Sequence, residues 1–253
     1  MKYRLGILIL GLLASWSLAS GLHAAQPKRL LLVGQGPDNH PPGTHEYMAG
    51  VKRLAELLKS TPGLEVKVVK ADDPWTEGPE LIAEADGVVL FVSEGAKWVV
   101  ADPRRHDALA KVAARGGGLS VLHWGMGTRA AEPIGPFVKL FGGCHGGPDR
   151  KYQVVETELH PTDHEIAAGL EPFSLREEFY YRLKFVDADS GIEPVAQATI
   201  DGVDETVAWA WQRGDGGRSF GFSGLHFDDN WQLPQYPHML KRAVLWTMKL
   251  PLD

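Results

Sequence analysis

The sequence predicts an α/β protein built on a parallel sheet with helices on both faces. Three observations carry this. Short apolar runs of strand length recur at residues 29–33, 87–92 and 119–122. Segments with helical spacing of apolar residues lie between them. Each of the three runs ends in a polar loop that contains glycine. Alternation of strand and helix is the pattern of a parallel sheet covered by helices. Ligands of such sheets bind just outside the carboxyl ends of the strands. The three loops should therefore meet on one rim and carry the functional site.

The elements follow in order. Residues 29–33, Arg-Leu-Leu-Leu-Val, form the first strand, which breaks into a 34–43 loop too rich in Gly and Pro to be helical. Thr44 is a candidate helix cap, with Met48, Val51, Leu54, Ala55 and Leu58 at helical spacing behind it. That reading puts His45 and Glu46 in the first helical turn. Pro62-Gly63 stops the helix, and 64–69 alternates as a second strand. A short helical turn at 79–85 leads to the third strand, 87–92, which ends at Ser93-Glu94-Gly95. Residues 103–115 are a helix with Ala108, Leu109, Val112 and Ala113 on its apolar side. Gly116-Gly117-Gly118 releases it into the fourth strand, which runs to His123 in the turn Trp124-Gly125-Met126-Gly127.

The second half is less regular. A helix is expected at 134–141, a glycine loop at 142–148 and a strand at 152–157. Residues 160–166 read as a turn entering a short helix, and 175–186 as an extended segment carrying Glu177, Glu178, Tyr180 and Tyr181. Residues 206–211 and 219–225 read as a hairpin across the 214–217 turn, and 236–248 as a closing helix. No internal repeat, low-complexity linker or domain boundary interrupts 26–253, which reads as a single domain.

Composition bounds the function classes. Of 253 residues 44% are hydrophobic and 23% charged, ordinary values for a soluble globular protein. Residues 1–25 read as a signal peptide: Lys2 and Arg4 precede an apolar run, and small residues follow through Ala25. The expectation is a periplasmic or secreted protein that keeps no membrane segment after cleavage. No Cys lies in the cleavage zone, which argues against a lipid anchor. The formal net charge is −6, and loss of Lys2 and Arg4 makes the rest more acidic still. An acidic chain without basic clusters argues against nucleic acid and anionic membrane surfaces as partners. The single cysteine, Cys144, excludes an internal disulfide. Self-association into a homo-oligomer stays open.

The chemistry-bearing residues gather at strand ends. His123 closes a buried strand, and Gly125 and Gly127 let the backbone bend there as in a nucleophile elbow. An imidazole in that position is a poor lasting acyl acceptor but a good general base or metal ligand. His40 and His45 follow the first strand. His226 ends the run Phe220-Gly221-Phe222-Ser223-Gly224-Leu225, with Asp228, Asp229, Asn230 and Trp231 directly behind it. Three histidines, His45, His123 and His226, with a carboxylate would suit a divalent zinc, manganese or nickel ion with an open position. They would equally suit acid–base catalysis on a polyol, and no local H-E-x-x-H signature favours the metal. No nucleotide cofactor is expected. Trp124 and Trp231 suit stacking against a sugar ring or simple packing. His145 reads as exposed in its glycine loop, His160 and His164 as turn-builders, His238 as a packing or capping residue, and Trp209 and Trp211 as core. Cys144 is a candidate thiol nucleophile without an obvious base beside it.

Six segments in order resemble the ThuA-like (trehalose utilisation) family, whose fold is of the class I glutamine amidotransferase type. They are Gly117-Gly118-Leu119-Ser120-Val121-Leu122-His123, Lys139-Leu140-Phe141-Gly142-Gly143, His160-Pro161 with Gly169-Leu170, Glu177-Glu178-Phe179-Tyr180, Thr206-Val207-Ala208-Trp209 and Gly221-Phe222-Ser223-Gly224-Leu225-His226. The resemblance implies a flavodoxin-like three-layer sandwich with a mostly parallel central sheet. It implies that His123 stands where amidotransferases keep a cysteine, so glutamine hydrolysis is not expected. It also implies a pocket lined by His45, His123, Glu178 and His226, and a role in carbohydrate catabolism on a sugar or keto-disaccharide. The expected function is a hydrolase or a lyase/isomerase. His123 and His226 are its candidate bases, Glu178 is the acid or orienting group, and His40, His45, Trp124, Tyr180, Asp228, Asn230 and Trp231 contact the small-molecule carbohydrate. Two other readings compete: a non-catalytic carbohydrate-binding or scaffold protein, and a Cys144 thiol enzyme.

Overall fold

The computed structural model describes residues 26–252, so the expected signal segment lies outside the described residues. The first half runs β1 (Lys28–Gly34), α1 (Tyr47–Leu58), β2 (Leu64–Lys70), α2 (Gly78–Glu84), β3 (Gly87–Phe91), α3 (Gly95–Ala101), α4 (Pro103–Ala114) and β4 (Gly118–Leu122). The second half runs β5 (Gly127–Thr128), α5 (Ile134–Phe141), β6 (Gly143–Gly146), β7 (Lys151–Pro161), β8 (Phe173–Tyr181), β9 (Lys184–Phe185), β10 (Ile192–Ile200), β11 (Val203–Gln212), β12 (Arg218–Phe222) and α6 (Gln235–Thr247).

Nine strands form one sheet in the order β2-β1-β3-β4-β12-β11-β10-β7-β8. The pairings from β2 through β12 are parallel, and those from β12 through β8 are antiparallel. The sheet is thus half parallel, which corrects the mostly parallel expectation. The physical reason lies in the connections. The links β7–β8, β10–β11 and β11–β12 are turns or contain one short 3₁₀ segment, too short for a crossover helix, and such links join antiparallel neighbours. A small second sheet, β5-β6-β9, lies beside the first.

Burial follows that division. Strands β1, β3 and β4 are nearly continuous apolar runs and are buried along almost their whole length, as parallel strands covered on both faces must be. Helices α1 and α6 touch one another, and α2 to α5 form a second contacting group. Gly95 opens α3 so close to the turn after β4 that a Cβ there would lie 2.1 Å from the Gly125 carbonyl oxygen. Only glycine permits that approach, and it brings the β3 and β4 loops together.

One local expectation fails. Thr44 does not cap α1. Its hydroxyl donates to the Pro41 carbonyl, its backbone bridges to Phe227, and α1 begins only at Tyr47. His45 therefore stands outside the helix, with a left-handed φ of 53°. Helix α3 occupies a stretch, between the third strand and the 103–115 helix, to which the sequence pattern assigned no element. Its Trp98 and Val99 are buried, so tertiary packing rather than a periodic pattern holds its seven residues.

A histidine–carboxylate quartet at the carboxyl rim

Parallel pairing puts the ends of β1, β3, β4 and β12 on one edge, and their loops converge there. His123 follows β4 directly, fully buried, at φ 46°. A bulky residue in the left-handed region costs about 1–2 kcal/mol and is kept only where the surroundings enforce it. Its Nδ1 lies 2.7 Å from the Ser223 carbonyl beyond β12. A carbonyl only accepts, so Nδ1 carries the proton and Nε2 presents a lone pair.

His45 is arranged the same way. Its Nδ1 lies 3.0 Å from Asp38 Oδ2, and its Nε2 is left as an acceptor. Asp38 is a hub. It also takes the Tyr47 hydroxyl at 2.5 Å, the Ser93 hydroxyl at 3.1 Å and His40 Nδ1 at 2.7 Å. Burial alone would raise the Asp38 carboxyl, but the bonds from His45, Tyr47 and His40 hold it well below the usual carboxylate range. The His45 and His226 loops are laced together: His45 N–H donates to the His226 carbonyl at 3.0 Å, and Asp228 N–H to the Gly43 carbonyl at 2.9 Å.

The result is a quartet. Donor atoms of His45, His123, Glu178 and His226 all lie within 4.8 Å of one another. His45 Nε2 is 3.0 Å from His123 Nε2 and 3.0 Å from His226 Nδ1, while Glu178 Oε1 is 3.4 Å from His226 Nδ1. Two imidazole lone pairs aimed at each other across 3.0 Å repel unless a cation lies between them. The donor set fits a divalent transition metal: three neutral imidazoles and a carboxylate, with Asp38 fixing the tautomer of His45 as metal-bound histidines require.

Electrostatics keep those imidazoles neutral. His123 is pushed far below the usual imidazole value by burial first and by His45 and His226 second. Burial also lowers His45, and it brings His226 down to about 4 and His145 to about 3. Glu178 moves the other way, up to about 7, through burial and the neighbouring Glu177. A carboxyl at that value can hold or release a proton near neutrality.

These shifts set a pH dependence. Unfolded histidines titrate near 6.5, so below that pH the unfolded chain binds protons that the four buried imidazoles refuse. Their stabilisation is complete above pH 6.5 and is lost as the pH falls toward about 4, at up to ~1.4 kcal/mol per unit for each group. Glu178 opposes this over part of the range, because its raised value favours folding as the pH falls from about 7. Glu177, whose carboxyl burial also raises, acts in the same sense as Glu178, and four imidazoles against two carboxyls leave a net decline. Denaturant midpoints of metal-free protein should fall between pH 7 and pH 5. A flat or rising midpoint would contradict the burial of these rings.

A cavity of about 110 Å³ opens beside the quartet. His40, His45, Glu178 and Tyr180 form the wall nearest the quartet, and Trp124, Arg129, His145, Arg150 and Tyr152 complete it. Tyr180 stacks between His123 (centroids 4.5 Å apart) and His145 (4.1 Å), and its hydroxyl lies 3.1 Å from His123 Nε2. A larger cavity of about 650 Å³ sits at the opposite ends of the strands, around Lys28, Asp86, Gly116 and Thr247. It brings together no comparable set of ligand or acid–base groups, and convergent polar groups rather than volume mark a site.

The structure thus gathers His40, His45, His123, Trp124, Glu178, Tyr180 and His226. Three other expected contacts lie off the cavity. Asp228 pairs with the Arg53 guanidinium at the surface, and Asn230 donates to Glu177 and to the Arg176 carbonyl. Trp231 is buried against α1 near Gly50 and cannot stack on a sugar. His145, expected exposed, is 2% exposed, because β6 pairs it with Gly127 after the His123 turn. Cys144 is buried, bonds the Met126 carbonyl and is pushed up to about 12 by burial, so no reactive thiolate forms there.

The sequence reading passed over Asp38, Arg129 and Arg150, and noted Glu177 without a role. Glu177 is fully buried. It accepts from the backbone of Glu178, Leu225 and His226 at 2.9, 2.9 and 3.1 Å, from Asn230 Nδ2 at 3.0 Å and from the Tyr236 hydroxyl at 2.8 Å. It holds the turn in which Leu225, at φ 81°, aims His226. A signal was present. Phe173, Leu175, Glu177, Phe179 and Tyr181 form one alternating face of β8, and a carboxylate in an apolar slot is buried for a purpose.

Fold and site together define an α/β protein with a histidine–carboxylate centre at the carboxyl rim of its parallel strands. The family model for trehalose utilisation, ThuA, matches residues 35–247, and the chain belongs to that family. Among solved structures it is similar to a ThuA-like protein from Bacteroides uniformis, at TM-score 0.66 and 14% identity over 89% of this chain and 93% of that one. Two others align at TM-score 0.45. One is a β-galactosidase from the Antarctic haloarchaeon Halorubrum lacusprofundi (15% identity, 87% of this chain and 30% of that one). The other is the CTPS glutaminase domain of Trypanosoma brucei with bound acivicin (12%, 89% and 97%). No curated protein matches the sequence.

Proposed function

We propose that the protein is a metal-dependent enzyme that acts on a carbohydrate by acid–base chemistry, as a hydrolase or a lyase/isomerase, in the periplasm or outside the cell. The carrying observation is the pair of Nε2 lone pairs of His45 and His123 facing each other at 3.0 Å, with His226 Nδ1 and Glu178 beside them. His45, His123 and His226 would hold a divalent ion. Such an ion supplies Lewis-acid polarisation of a hydroxyl or carbonyl oxygen.

The chain's own groups do the rest. Asp38 keeps the proton on His45 Nδ1, and the Ser223 carbonyl keeps it on His123 Nδ1. Glu178, held at about 7, takes a proton from the sugar and returns it. Trp124 and the edge of Tyr180, whose two faces are covered by His123 and His145, line the part of the cavity that the ring would occupy. The family's link to trehalose utilisation supports a sugar as the substrate. The order β2-β1-β3-β4-β12 of the parallel strands is that of flavodoxin-like sheets, which supports reading the fold as the three-layer, amidotransferase-like type. His123 at the elbow supports a chemistry other than glutamine hydrolysis.

The test is elemental analysis of purified protein followed by product analysis with sugars and oxidised disaccharides. Near-stoichiometric zinc, manganese or nickel is expected, with turnover that chelation abolishes and the same ion restores. A bound sugar recovered unchanged after long incubation with loaded protein would instead identify a carbohydrate-binding protein.

A further inference from the structure

We infer that the cavity beside the quartet is built for an acidic sugar, with Arg150 and His145 receiving an anionic group such as a carboxylate. This rests on the carbohydrate reading of the site. It adds a charge requirement that neither the family description nor the quartet contains.

Two independent observations converge. The first is an orphaned polar atom. His145 lines the cavity at 2% exposure, and its Nε2 is buried with no hydrogen-bond partner among the described residues. A buried nitrogen left unpaired costs about 1–3 kcal/mol, so its persistence points to a partner supplied by a ligand. The second is charge. Arg150 lines the same cavity half-buried, and its guanidinium bonds only the Gly147 carbonyl, at 3.3 Å. No carboxylate among the described residues pairs with it. Asp149 beside it is taken by Lys184 at 3.1 Å. Arg129, on the same wall, is matched by Glu94 at 2.9 Å. The wall therefore carries one unmatched cation beside one unmatched imidazole nitrogen.

Chemistry selects the occupant. A sugar hydroxyl would satisfy His145 alone and leave the guanidinium uncompensated. In the tautomer that carries its proton on Nε2, His145 donates to a carboxylate together with Arg150, and charge-assisted bonds of this kind are about twice as strong as neutral ones. With the anion on this wall, Trp124, the edge of Tyr180 and Glu178 line the space left for the sugar.

The test is calorimetric titration with glucose, glucuronate and glucose 6-phosphate of wild type, Arg150→Gln and Arg150→Lys, each with zinc and after chelation. Wild type should bind glucuronate at least about tenfold more tightly than glucose, about 1.4 kcal/mol. Arg150→Gln should bring that ratio near one, and Arg150→Lys should restore most of it. Tighter binding of glucose 6-phosphate than of glucuronate would assign the anion as phosphate. Equal binding of glucose and glucuronate, a preference that survives Arg150→Gln, or no binding of any of the three at millimolar concentration would overturn the inference. The charge preference should persist after chelation. A protein that holds no metal and turns over no sugar, yet keeps the preference, sinks the catalytic reading and leaves this one standing.

Discussion

Glu177→Gln should destabilise the protein by about 3 kcal/mol, more than removal of any single residue of the quartet. Every partner of Glu177 is a donor: three backbone N–H groups, the Asn230 amide and the Tyr236 hydroxyl. Burial pushes the carboxyl above its usual value, and the bonds from Asn230, Leu225, Tyr236 and Glu178 pull it back toward the ionised form. A protonated carboxyl would turn its O–H against a donor, so the surroundings are built for the anion. Glutamine has the same shape, but its amide nitrogen brings two hydrogens to a place where hydrogens already arrive. One or two buried donors lose their acceptor, each at about 1–3 kcal/mol. Leu225 then keeps its left-handed backbone at φ 81° with fewer bonds to hold it. For a chain of this length the loss corresponds to a melting temperature lower by about 6–12 °C. Scanning calorimetry of metal-free wild type and variant measures it. A shift below about 2 °C would mean that the five bonds contribute little and that the His226 turn stands without them.

Legibility in the sequence followed how local each cause is. His123 and His226 were readable because an apolar strand that ends in histidine is a local pattern, and parallel pairing puts both at one rim. Their meeting with His45 depended on more. His45 reads as helical from the spacing of Met48, Val51 and Leu54, and only the Thr44–Phe227 bridge, which joins distant segments, pulls it out of α1. Glu178 entered through resemblance rather than spacing, and its neighbour Glu177 shows why: the two lie on opposite faces of β8, one toward the cavity and one into the core. The antiparallel half was hard to see for a similar reason. Strand β10 contains Pro194 at an irregularity in its pairing with β11, and much of β7 is exposed, so neither shows a clean alternation. His145 was read as exposed because a glycine-rich stretch usually is. Its glycines instead let β6 lie close: a Cβ on Gly143 would meet Trp209 at 2.7 Å, and one on Gly146 would meet Thr128 at 2.7 Å.

His123→Ala should abolish tight metal binding while leaving the metal-free protein within about 1 kcal/mol of wild-type stability. The two effects separate because the ring does different things in the two states. Without metal, His123 buries a neutral imidazole whose Nε2 faces that of His45 at 3.0 Å, an arrangement that repels. Its removal deletes this repulsion and the 2.7 Å bond to the Ser223 carbonyl together, and leaves a cavity beside Tyr180. Lost packing and a lost hydrogen bond destabilise, relieved repulsion stabilises, and the sum is small. Alanine keeps the left-handed backbone, so that strain does not change. With metal, the account differs. A ligand that binds only the folded state stabilises it by about 4 kcal/mol at a thousandfold excess over its dissociation constant. Wild type should therefore melt well above its metal-free temperature when zinc is added, whereas His123→Ala should melt at one temperature with or without zinc. His40→Ala is the control: its Nδ1 bonds Asp38 and its ring stacks on His45 at 3.7 Å, yet it is outside the quartet, so it should keep most of the zinc shift. Equal zinc shifts in wild type and His123→Ala would show that the quartet does not hold the ion. His45, His123 and His226 would then have to serve as acid–base groups alone, with Glu178 the one among them poised near neutral pH.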